Sequence, residues 1–76
     1  NFVGQEIKGK TLAVIGLGAI GVLVANAAKS LGMNVIGYDP YISVEQALKL
    51  SNRVDLVKGI EVLLTQADYV TLTAEC

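Results

Sequence analysis

The run Gly16-Leu17-Gly18-Ala19-Ile20-Gly21 constrains this chain more than any other feature, because it joins two stretches of different hydrophobic period. Before it stands Thr11–Ile15 (TLAVI), short, apolar and stopped by Gly16. Such a run reads as a buried strand rather than a helix. After it, Ile20, Leu23, Val24, Ala27 and Leu31 recur at helical spacing and define an expected apolar stripe, with Asn26, Lys29 and Ser30 opposite. Gly32 stands where a helix C-cap takes a left-handed residue, so a helix is predicted over residues 18–31. The glycines therefore form a strand-to-helix turn.

The remaining chain continues the alternation. Asn34–Tyr38 (NVIGY) is a second short apolar run ended by Asp39-Pro40, and proline keeps the residue before it out of the helical region. Ser43 and Gln46 have the spacing of a capping box and open a short helix over 44–50. A third strand is expected at 54–57, a helix at 59–67 with Ile60, Leu63, Leu64 and Ala67 on one stripe, and a fourth strand at 69–73. Strands alternating with helices call for a parallel sheet with flanking helices and right-handed crossovers. Residues 1–10, with glycines at 4 and 9, read as a loop-like lead-in to it.

G-x-G-x-x-G in this setting is a dinucleotide fingerprint, and the Rossmann type of α/β fold follows from it. An acidic residue, Asp39, ends the second strand 18 residues past Gly21, where about 20 is the norm. Each position has a physical task. Gly16 allows the tight turn, Gly18 lets a pyrophosphate approach the backbone, and Gly21 lets helix and strand pack closely. The amides of the first helical turn, around Ala19 and Ile20, are expected to point at the phosphates, helped by the helix dipole. The loop holds no basic side chain and needs none.

Asp39 is placed to accept hydrogen bonds from the adenosine ribose hydroxyls. A 2′-phosphate would meet its charge, and no arginine follows in Asp39-Pro40-Tyr41, so NAD is favoured over NADP. Plainer readings stand beside these. The glycines also suit any tight turn, Asp39 also suits an Asx-Pro turn, and Tyr41 is either a flank for adenine or an exposed turn tyrosine. Lys8, Lys10, Lys29 and Glu61 read as solvated surface charges.

Composition narrows the function classes. With 6 Lys+Arg against 7 Asp+Glu, the chain is too neutral for a nucleic-acid binder that works through charge. At 53% hydrophobic it is too apolar for a disordered tail. It has no histidine and one cysteine, Cys76, which excludes a Cys/His zinc site and the commonest general acid–base side chain. The lone cysteine suits a reducing, cytoplasmic setting. Glycines and Asn26 interrupt the apolar stretch 12–28, so no membrane span is expected. A chain of 76 residues with mean hydropathy +0.55 is more apolar than so small a core can easily hide, so it is expected to self-associate or to belong to something larger.

Residues 2–12 (FVGQEIKGKTL), leading into VIGLGAIG, resemble the start of the cofactor domain of D-2-hydroxyacid dehydrogenases. Within that family, AIGVLVANAAKSLGMNVIGYDPYIS is most similar to the D-3-phosphoglycerate dehydrogenases, and Ala67-Asp68-Tyr69-Val70-Thr71-Leu72 resembles the family's fourth strand. The resemblance implies a parent enzyme in serine biosynthesis that oxidises a D-2-hydroxy acid, 3-phosphoglycerate, to the 2-oxo acid by hydride transfer to NAD. It implies cofactor roles for Gly16, Gly18, Ala19, Ile20, Gly21 and Asp39, with Pro40 and Tyr41 beside them, and a homo-oligomeric parent. The family's catalytic arginine, glutamate and histidine match nothing here, Arg53 included. Many relatives carry arginine where this chain has Ala19, and His-Val-Pro where it has Thr73-Ala74-Glu75.

The expected architecture is the N-terminal half of a Rossmann domain over residues 11–76, with strand order 3-2-1-4. Such a chain is expected to be inactive alone and to bind the ADP half of NAD. Two other readings remain at this level: a self-standing nucleotide-sensing module, and a structural fragment that binds nothing.

Overall fold

The computed structural model describes residues 6–73. Four parallel strands form one sheet: β1 (Thr11–Ile15), β2 (Asn34–Tyr38), β3 (Asp55–Leu56) and β4 (Tyr69–Leu72). Their spatial order is β3-β2-β1-β4, as expected for the N-terminal half of a Rossmann domain. Helices α1 (Ala19–Ser30), α2 (Val44–Lys49) and α3 (Ile60–Gln66) connect them. β3 and β4 are shorter than expected. Their ladders nevertheless run one residue further, since the Val57 amide donates to the Gly37 carbonyl and the Thr73 amide to the Ile15 carbonyl, both at 2.9 Å.

β1 lies at the centre because it is apolar on both faces. Val14 looks into a cluster with Leu17, Val22, Ala25, Ala28, Met33, Val35 and Val54, on the side of α1. Ala13 looks the other way, toward Ile36 and Leu63, under α3. This two-sided burial is what a parallel sheet with crossover helices requires.

The buried face of α1 differs from the expected stripe. Gly21, Val22, Ala25 and Ala28 face the sheet; of the expected stripe Val24 is half-buried and packs on the same cluster, whereas Ile20, Leu23 and Leu31 are 55%, 65% and 59% exposed and Ala27 is exposed too. The reason lies in the turn before the helix. A Cβ on Gly21 would collide with the Gly16 carbonyl oxygen, so position 21 must point inward. Positions 22, 25 and 28 then follow on the same side at helical spacing. Small residues there let the helix lie close on the sheet. On α3, likewise, only Leu63 of the expected stripe is fully covered; Ala67 is half-buried, and Ile60 and Leu64 are exposed.

The helix ends follow their sequence signals. Gly32 has φ +92°, its amide donates to the Lys29 carbonyl and that of Met33 to the Ala28 carbonyl, both at 3.1 Å, which is a Schellman ending. Ser43 caps α2, accepting from the Gln46 amide at 3.1 Å. No residue of α2 is buried. Asn26 of α1 holds it instead: its side chain donates to the Lys49 carbonyl at 3.0 Å and accepts from the Ser51 amide at 2.8 Å.

The lead-in is more ordered than a loop. Glu6 and Ile7 are helical, Ile7 packs on the α1-side cluster, and the Gly9 amide donates to the Gly32 carbonyl at 2.9 Å. Residues 1–5, the departures at Ala74 and Glu75, and Cys76 lie outside the described residues. Among the described residues, no helix is long and apolar enough to cross a membrane, and no group of three metal-ligating side chains gathers.

Candidate functional site

The chain leaves β1 toward β2 on one side and returns as β4 on the other, so β1 sits at the switch point of the sheet. In open α/β sheets the crevice beyond the carboxyl ends of strands at such a point is where ligands bind. Three segments meet there: the glycine turn after β1, Asp39 after β2 and Thr73 after β4.

Gly16 begins the turn with φ +95°, a backbone region that side chains disfavour, and its amide donates to the Tyr38 carbonyl at 3.0 Å. A Cβ there would also collide with the Thr73 carbonyl oxygen. Leu17 anchors the turn from below with a side chain that is wholly buried. Gly18 is the N-cap of α1, in ordinary extended backbone (φ −78°) and with no side-chain cap bond. Its conformation does not by itself demand glycine. The first turn of α1 has no acidic residue to offset the helix's positive end, and Ala19 and Ile20 each hold an interaction within the chain.

Asp39 is half-buried and turned toward this loop. Oδ2 accepts from the Leu17 amide and Oδ1 from the Tyr41 amide, both at 2.8 Å. The second bond is the Asx turn of the plainer reading; the first ties the carboxylate to the glycine loop 22 residues away. The Asx turn is thus present, and the same carboxylate also reaches the glycine loop. An ionised carboxylate offers about four acceptor positions, and two amides leave acceptor capacity for a hydroxyl-bearing ligand. Pro40 is exposed and Tyr41 is 91% exposed.

The sequence reading missed Leu17 and the service of Thr73, whose hydroxyl donates to the Gly16 carbonyl at 2.5 Å. Leu17 had a signal, being a large apolar residue in a turn otherwise made of glycines. Thr73 had only its place at the end of β4. Arg53 is exposed, between α2 and β3. An apolar groove of about 190 Å³ runs between α1 and α2, lined by residues that include Leu23, Asn26 and Gln46, and it shares only Ala19 with the glycine run. It is not the crevice at the strand ends.

The model of one protein family, the NAD-binding domain of D-isomer-specific 2-hydroxyacid dehydrogenases, matches residues 1–76. The chain is 54% identical over 71 residues to a D-3-phosphoglycerate dehydrogenase of Methanocaldococcus jannaschii, covering 93% of this chain and 13% of that protein. A Salmonella D-lactate dehydrogenase structure superposes with a TM-score of 0.75 at 36% identity, over 92% of this chain and 20% of that one. The NAD-complexed form of a D-isomer-specific 2-hydroxyacid dehydrogenase from Lactobacillus delbrueckii ssp. bulgaricus gives 0.69 at 30% identity, over 88% and 19%. The chain thus spans about an eighth of the length of the curated relative. On the full-length match to the family model, this chain belongs to the NAD-binding domain family of the D-isomer-specific 2-hydroxyacid dehydrogenases.

Proposed function

We propose that this chain forms the N-terminal half of a dinucleotide domain and holds the ADP half of NAD at the carboxyl ends of β1 and β2. The observation that carries the reading is the hydrogen bond from the Leu17 amide to Asp39, which draws an acidic side chain onto a glycine loop. Gly16, Gly18 and Gly21 supply a bend without side chains, and Ala19 and Ile20 begin the helix whose positive end faces it. Asp39 accepts from the ribose hydroxyls, while Pro40 shapes the turn and Tyr41 covers the adenine side.

The fold fits the group on its own geometry. The loop is closed to a Cβ at Gly16 and Gly21, and the Asp39 carboxylate is held against it by the Leu17 amide. When bound, NAD supplies the hydride acceptor. This chain binds and orients, and it offers no histidine for the proton transfer.

For the whole protein we propose oxidation of a D-2-hydroxy acid, 3-phosphoglycerate, as in the relative named for that activity, in a cytoplasmic homo-oligomer. Titrating NAD and NADP into the chain and its Asp39→Ala variant tests the site. Wild type is expected to prefer NAD by roughly a hundredfold, since a 2′-phosphate against a fixed carboxylate costs several kcal/mol. Asp39→Ala is expected to lose most of that preference. Equal affinity of the wild type for the two ligands contradicts the assignment.

A further inference from the structure

One peptide unit of the glycine loop is gripped at both ends by side chains from different strands. The Thr73 hydroxyl donates to the Gly16 carbonyl at 2.5 Å, and the Leu17 amide donates to Asp39 Oδ2 at 2.8 Å. That carbonyl and that N–H belong to the same peptide bond, whose planar trans geometry points them in opposite directions. Thr73 follows β4 and Asp39 follows β2, so the first peptide beyond β1 lies between them and cannot turn over without breaking one bond or the other.

Rotation needs such a restraint here, because Gly16 has no Cβ and sits at φ +95°. Thr73 is itself fixed by its amide, which donates to the Ile15 carbonyl at 2.9 Å. Its atoms also occupy the space that a Cβ on Gly16 or Gly21 would enter.

We infer that Thr73 is a positioning residue of the dinucleotide site, its hydroxyl fixing the peptide plane between Gly16 and Leu17 and, through the Leu17 amide, the direction of the Asp39 carboxylate. This rests on the reading that NAD binds at this loop. Thr73 touches no ligand atom in this scheme; it keeps the loop and the carboxylate in one arrangement, so that binding does not have to impose it.

Thr73→Val keeps the side-chain shape without the hydroxyl, and Thr73→Ser keeps the hydroxyl. NAD is titrated into the wild-type chain and both variants, while ¹⁵N–¹H spectra follow the Leu17 amide. The wild type and Thr73→Ser are expected to bind alike, and Thr73→Val about three- to tenfold more weakly, the range for one net hydrogen bond. The Leu17 amide should exchange with water faster in Thr73→Val alone.

Equal affinity of Thr73→Val and wild type, or a loss in Thr73→Ser as large as in Thr73→Val, overturns the inference. A wild-type chain that binds no NAD overturns the site reading as well, which separates the two failures. Should Thr73→Val not fold, the wild-type spectrum decides. A Thr73 hydroxyl proton resolved and slow to exchange supports the restraint, and one averaged with water overturns it.

Discussion

At position 39 one carboxylate serves two backbone amides, one in its own turn and one in the glycine loop, each at 2.8 Å. Beneath that loop Leu17 is wholly buried, and beside it Gly21 touches the Gly16 carbonyl with no room for a methyl group. Two outcomes follow at this scale. Gly21→Ala is expected to destabilise the chain by at least about 1–3 kcal/mol, since the obstacle is backbone and must move. Leu17→Ala is expected to cost about 2–5 kcal/mol as a core truncation, and to loosen the loop. Urea unfolding of each variant measures both, and a Gly21→Ala chain as stable as the wild type contradicts the close approach. Gly16, Gly21 and Asp39 are legible in the sequence because each solves a steric or charge problem set by its neighbours. Thr73 is not, because its partner lies 57 residues away and only the register of β4 against β1 brings them together.

Among the elements, α1 shows where sequence patterns mislead. Apolarity alone weights Ile20, Leu23 and Leu31, yet the helix buries Gly21 and two alanines because the glycine turn fixes its rotation. The information was present in Gly21, once that residue is read as the packing contact that sets the face. The left-handed ending at Gly32 and the Ser43 cap were legible in the sequence, since both are local. The tether from Asn26 to the end of α2 was not, because an asparagine on a polar face looks like surface. Asn26→Ala removes two hydrogen bonds and is expected to cost about 1–3 kcal/mol. Hydrogen exchange should rise at Ser51 and through α2 while β1 stays protected. Unchanged exchange at Ser51 contradicts the tether.

Among the described residues, β1 is flanked on both sides, whereas β4 pairs with β1 alone. Tyr69, Val70 and Leu72 on that edge are 48%, 47% and 74% exposed, which makes β4 an apolar edge strand among the described residues. Self-association through β4 is the expected result, seen as a concentration-dependent mass by light scattering. Val70→Lys should reduce it by placing a charge on the edge. A wild-type chain that stays monomeric at high concentration contradicts this.

The central claim, that the glycine loop and Asp39 together receive the dinucleotide, is tested most directly by mapping NAD-induced ¹⁵N–¹H shift changes residue by residue. The account predicts the largest changes at residues 16–21 and 39–41, with α2 little affected. Changes concentrated instead on Leu23, Gln46 and Lys49, in the groove between α1 and α2, would contradict it.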